Sequence, residues 1–164
     1  MVNYYYVKAN RQEWEYNGSN TDWDNFPLEN KQDFAAFTKN QLYWKCLKIG
    51  DIIIGHSSYI SSNIKGRIKF TPLPRISAIA IVTSTEHYSK ELDSDSVTLK
   101  KIIEFSPIKI SIDIINKNGL SNAEPFRLGT NRCTITKLSE EEFNKIIKLI
   151  ESYIPDIKKK LKSI

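Results

Sequence analysis

The chain has 164 residues, 40% of them apolar and 26% charged. That is enough apolar material for one core, so a single domain spanning residues 1–164 is expected and disorder is excluded. Lys and Arg number 24 against 19 acidic residues, for a net charge of +5 and a pI near 9.1, which suits a polyanionic partner without demanding one. No apolar run approaches the ~20 residues a membrane span needs, and the Tyr-rich start lacks the regions of a signal peptide, so a cytoplasmic location is expected.

The opening, Tyr4-Tyr-Tyr-Val-Lys-Ala-Asn10, has strand character and feeds a polar, aromatic segment from Trp14 to Pro27. Asn, Asp, Gly and Ser are too frequent there for a core helix. Its indoles Trp14 and Trp23 either cover the core or supply flat walls for a planar polar ligand such as a nucleobase. Residues 29–38 carry Phe34, Ala35 and Phe37 among polar residues and predict a short amphipathic helix. Gly50-Asp51 is a turn, Ile52 to Ile54 a buried strand, and His56-Ser57-Ser58 its exit. A lone His with no carboxylate or Cys spaced to use it as a base reads as a hydrogen-bonded structural residue.

Residues 60–75 read as a long basic loop with Gly66 as a possible tip, closed by Pro72 and Pro74. Lys65, Arg67, Lys69 and Arg75 have no acidic residue between them, so the segment is either a mobile surface loop or a tracker of phosphates. Arg75 to Thr83, small and β-branched on both faces, is the clearest central strand, and His87 and Tyr88 follow on the loop after it. Val97 to Phe105 is another strand, and 106–115 reads as a strand or, in its second half, a short helix. Asn116 to Gly119 turns the chain. Arg127 and Arg132 sit in a Gly-bearing loop before a last short strand at Cys133 to Thr136.

Ser139 with Glu142 forms a capping box, and Phe143, Ile146, Ile147 and Ile150 share one helical face. Pro155 interrupts that helix, and the lysines at 158–162 suit a solvated helix end. Cys46 and Cys133 form no metal pattern and read as buried thiols. The sum is an α+β domain with a curved mixed sheet, or open barrel, of about six strands flanked by helices. No nucleotide-binding, hydrolase or metalloprotease motif is present, and no nucleophile has an evident base, so binding is expected rather than catalysis, with no cofactor.

The chain resembles the PUA-like superfamily, and within it the EVE and YTH domains that bind modified bases. Val7-Lys-Ala-Asn10 is similar to the Ile-Lys-Ser-Asn of YTH domains, and Thr21-Asp-Trp-Asp-Asn-Phe-Pro27 to the segment bearing a cage Trp. Lys48-Ile-Gly-Asp51 and His56-Ser57 look like the Lys-Val-Gly-Asp stretch and His-Ser strand end of EVE domains. Gly129-Thr130 and Leu138-Ser-Glu-Glu-Glu-Phe143 have counterparts in both groups.

The resemblance implies a base pocket with Trp23 as one wall, the backbone of Lys8 and Ala9 and the side chain of Asn10 as base readers, and Asp24 accepting from an exocyclic amine. Trp14 would wall or narrow the pocket, and His87 or Tyr88 would form the second wall. Arg127 and Arg132, with Lys65, Arg67, Lys69 and Arg75, would hold nucleic-acid phosphates. The implied function is binding of methylated DNA with the modified base flipped out, as the recognition domain of a modification-dependent restriction system of the McrBC type fused to a C-terminal motor. A reader of modified or single-stranded RNA is the alternative.

Overall fold

The computed structural model describes residues 1–9, 23, 26–34, 41–127 and 135–164. Seven strands form one mixed sheet: β1 (Tyr4–Lys8), β2 (Lys31–Phe34), β3 (Ile52–Ile64), β4 (Arg67–Val82), β5 (His87–Ser89), β6 (Ser94–Lys109) and β7 (Ile135–Leu138). Their order is β2-β6-β4-β3-β1-β7, with β5 added to β6. β1 runs parallel to β3 and antiparallel to β7, and the other neighbours are antiparallel. The helices are α1 (Gln41–Cys46), α2 (Ile112–Lys117), α3 (Glu140–Glu151) and α4 (Ile157–Lys162), with a 3-10 turn at Glu124–Phe126. This is the open, PUA-like α+β architecture the motifs imply.

Strand alternation sends residues to two cores, one on each face of the sheet. Tyr6, Ile54, Ile76, Ile79 and Ile103 meet Phe143, Ile146, Ile147 and Ile150 of α3 on one face. Tyr5, Val7, Ala9, Ile53, Ala78 and Ala80 meet Trp23, Phe26, Phe34, Trp44 and Leu47 on the other. α3 begins with the expected capping box: the Ser139 hydroxyl accepts from the Glu142 N–H, and the Glu142 carboxylate accepts from the Ser139 N–H. The chain leaves α3 before Pro155 and resumes in α4, as the proline requires.

Several expectations are corrected. Residues 31–34 are strand, not helix, because Phe34 pairs with Val97 and its ring fills the second core against Trp23. A helix at 41–46 precedes the Gly50-Asp51 turn where none was expected. Cys46 is exposed, not buried, while Cys133 lies outside the described residues.

The 60–75 segment is no loop: β3 and β4 stay paired to Ile64 and Arg67 across a two-residue Lys65-Gly66 turn. Both turn residues have positive φ, 51° and 77°, the geometry that matches the twist of a hairpin. Pro72 is tolerated because it lies beside a register shift, opposite Tyr59.

Candidate nucleic-acid interface

Register places one row of residues at the end of the sheet from which β1 departs: Lys8 beside His56, His56 beside Ile76, and Ile76 beside Ile108. His56 and Tyr6 fall on the same face, and the Tyr6 hydroxyl lies 2.6 Å from His56 Nδ1. Burial, then Lys8 and Arg75, push the His56 pKa down to about 3, so the ring is neutral at physiological pH. Burial also raises the Tyr6 pKa, which keeps its proton in place.

A neutral imidazole has one donor and one acceptor, and among the described residues the buried Tyr6 hydroxyl has only Nδ1 to donate to. Nε2 therefore carries the hydrogen and donates to Ser58 Oγ at 3.1 Å. The half-buried Ser58 keeps its own O–H to offer outward. His56 is thus the hydrogen-bonded structural residue its position suggested, and it aims Ser58.

Around this relay, Lys8 Nζ donates to the carbonyl of Pro125 at 3.3 Å, and the Phe126 ring meets Tyr6 edge-on. Arg127, exposed on the next residue, donates through Nε to Asn122 O. The 3-10 turn that presents these groups is tied to α1, because the Tyr43 hydroxyl donates to Glu124 at 2.8 Å. In the next row, facing the other side of the sheet, Ser57 is 3% exposed, and among the described residues its Oγ has no hydrogen-bond partner. A buried, unpaired hydroxyl costs stability.

Four expected pocket residues are placed differently. Trp23 is 0% exposed: it stacks on Phe34, donates from Nε1 to Val7 O at 3.0 Å, and leaves no room for a Cβ on Gly55. It is a core residue and presents no wall to a ligand. Ala9 is buried, and its N–H is spent on His56 O, so this amide reads no base edge.

His87 and Tyr88 pair with Ser96 and Asp95, twelve positions or more along the bulged β6 from Ile108 and hence roughly 30 Å along the sheet from the row that holds Lys8. His87 faces Asp33 and Ser84, and Tyr88 donates to Asp93, so neither is a second wall. Asn10, Trp14 and Asp24 lie outside the described residues.

Of the residues expected on phosphates, Arg75 is corrected. It is 6% exposed within β4, opposite Ser57 and Lys109, and its guanidinium donates to Leu73 O. Lys65, Arg67, Lys69 and Arg127 are exposed, and Arg132 lies outside the described residues. Tyr6, Ser58, Pro125 and Phe126 were not singled out from sequence. Only the chain fold brings residues more than a hundred positions apart beside His56, and no local signal marks them.

An open mixed sheet with this polar, cationic end defines an α+β domain of PUA-like fold. Solved structures share it over nearly their whole length. A hypothetical protein from Leishmania major matches with a TM-score of 0.66 at 13% identity, over 93% of this chain and 97% of that one. The human THYN1 protein, solved in complex with 5-methylcytosine-containing DNA, matches with a TM-score of 0.62 at 13% identity over 90% and 97%. The DUF55 domain of human thymocyte nuclear protein 1 matches with a TM-score of 0.59 at 13% identity over 90% and 98%. No family model matches the sequence, and no curated protein does. Among the described residues no helix is long and apolar enough to cross a membrane.

Proposed function

We propose that this chain binds DNA carrying a methylated base, with the base turned out of the stack and received at the Lys8–His56 end of the sheet. The observation that carries the reading is the shared fold, over 90% of the chain, with a protein solved on 5-methylcytosine-containing DNA. The site's chemistry supports it: a donor at the half-buried Ser58 and cations at Lys8 and Arg127. A base edge would accept from Ser58, and phosphates would lie against the two cations.

With Trp23 committed to the core, stacking falls to Trp14, and Asn10 and Asp24 keep their proposed parts as readers of the base edge. Lys65, Arg67, Lys69, Arg127 and Arg132 would hold phosphates. Turning a base out costs a few kcal/mol and one aromatic wall returns about 1–3 kcal/mol, so these cations are needed for net binding. In the cell such a domain would direct a modification-dependent restriction system of the McrBC type, its GTP-driven motor on the same polypeptide, to methylated sites in cytoplasmic DNA.

The test is a binding array of matched duplexes carrying 5-methylcytosine, 5-hydroxymethylcytosine, N4-methylcytosine or N6-methyladenine, with unmodified DNA and methylated RNA alongside. One modified duplex bound above its unmodified twin is expected. Equal affinity for all duplexes, or preference for the RNA, overturns the proposal.

A further inference from the structure

The β3–β4 hairpin outruns the sheet. β6 stops pairing with β4 at Arg75–Lys109, with one last bond from Ile110 N–H to Pro74 O, and β1 stops at His56 with the Ala9 amide. From Tyr59 and Pro72 to the Lys65-Gly66 turn, no other strand among the described residues pairs with it. Six residues per strand at about 3.3 Å make a two-stranded ribbon roughly 20 Å long. It projects from the same end of the sheet as Lys8 and Ser58.

The ribbon's charge is one-signed. Between Asp51 and Glu86 the sequence has no acidic residue, while Lys65, Arg67 and Lys69 stand exposed at and near the tip. No register shift intervenes beyond Tyr59, so Arg67, Lys69 and the exposed Thr71 share one ribbon face. Asn63, beside the turn, is exposed too and carries both a donor and an acceptor. A ribbon with three exposed cations and no acidic residue of its own suits a polyanion.

We propose that this ribbon enters the major groove of a B-form duplex and so makes the protein a reader of duplex DNA rather than of single strands or RNA; the inference rests on the nucleic-acid reading of the site. Two strands about 4.8 Å apart with their side chains fill the ~12 Å major groove and are too wide for the ~6 Å minor groove. The major groove of an A-form RNA duplex is too narrow and deep to admit the ribbon. Arg67 and Lys69 then face phosphates along one strand, and Asn63 and the turn meet base edges.

The experiment compares the full chain with two variants on one sequence as DNA duplex, RNA duplex and single strand. One variant joins Ile60 to Thr71, a directly paired couple, through Asn-Gly, which keeps the two-residue turn and removes none of the described core residues. The other carries Arg67→Ser and Lys69→Ser on the full ribbon. The full chain is expected to prefer DNA duplex and to shield guanine N7, a major-groove atom, from dimethyl sulfate. The shortened variant is expected to melt as the parent does and to lose both preference and shielding. The double variant should lower the salt slope by about 0.9 for each phosphate it no longer neutralises.

A duplex preference or N7 shielding that survives shortening overturns the ribbon's role. So does selective shielding of adenine N3 in the minor groove, or a ribbon that binds phosphatidylserine vesicles and no duplex. A full chain that binds no nucleic acid refutes the underlying reading instead.

Discussion

A Cβ placed on Gly55 would stand 2.5 Å from Cδ2 of Trp23, closer than any side chain tolerates. The indole lies flat on the bare backbone of β3, clamped by Phe34 and by its own bond to Val7 O. It cannot retreat, because it is wholly enclosed. Gly55→Ala is therefore expected to lower stability by about 1–3 kcal/mol through overpacking. A urea titration should show a lower midpoint with an unchanged slope. Trp23→Phe should also destabilise, yet keep the methyl preference per folded molecule; a folded Trp23→Phe protein without that preference would return the ring to the pocket.

His56 should make stability depend on pH. Its folded pKa of about 3 lies below the ordinary 6.5, so the unfolded chain binds the extra proton between these values. The stability linked to neutral His56 is complete above about pH 6.5 and drains away as pH falls toward 3, with a slope of up to about 1.4 kcal/mol per pH unit. Among the described residues the groups facing the ring are Tyr6, Ser58, Lys8 and Arg75, none of which supplies a carboxylate to offset the charge. His56→Gln should flatten that part of a melting-temperature profile between pH 4 and 6.5, and an unchanged profile would contradict the assignment.

Lys101 is fully buried, donates to the carbonyls of Trp23 and Phe26 at 2.9 Å each, and pairs with the half-exposed Glu104 at 3.1 Å. It pins the segment that carries Trp23. Lys101→Met keeps the length but strands two acceptors, at a cost of about 1–3 kcal/mol. Denaturation measures it, and tryptophan fluorescence should report a looser indole before global unfolding.

In the proposed function the stacking role would fall to Trp14. Trp14→Ala should bring the affinities for methylated and unmethylated duplex together while leaving weak, salt-sensitive binding, since stacking is worth about 1–3 kcal/mol and the cations still meet phosphates. Fluorescence polarisation on paired duplexes checks it. A full preference in the variant would place the wall elsewhere.

Much of the fold is legible in the residues. The Ser139–Glu142 box and the spacing of Phe143, Ile146, Ile147 and Ile150 encode α3, and the runs at Ile52 and Arg75 encode the central strands. What sequence hides is tertiary. Phe34 looks helical by spacing, but pairing with β6 overrides that preference. Pro72 and Pro74 suggest a loop until a register shift shows where a strand admits them.

Trp23 sits among polar neighbours in sequence, and only Gly55, 32 positions away, reveals the space that buries it. His87 and Tyr88 follow the central strand as a family resemblance would have them, but register sends them to its far end. The relay from Tyr6 through His56 to Ser58 spans residues 50 apart, and that closeness is a product of the parallel β1–β3 pairing.

The most direct measurement is the affinity of one duplex, with and without 5-methylcytosine, across a salt series. Phosphate neutralisation is common to both, so log affinity should fall with log salt along two parallel lines, the methylated one displaced upward by a constant ratio. Coincident lines, or affinity indifferent to salt, would contradict the account.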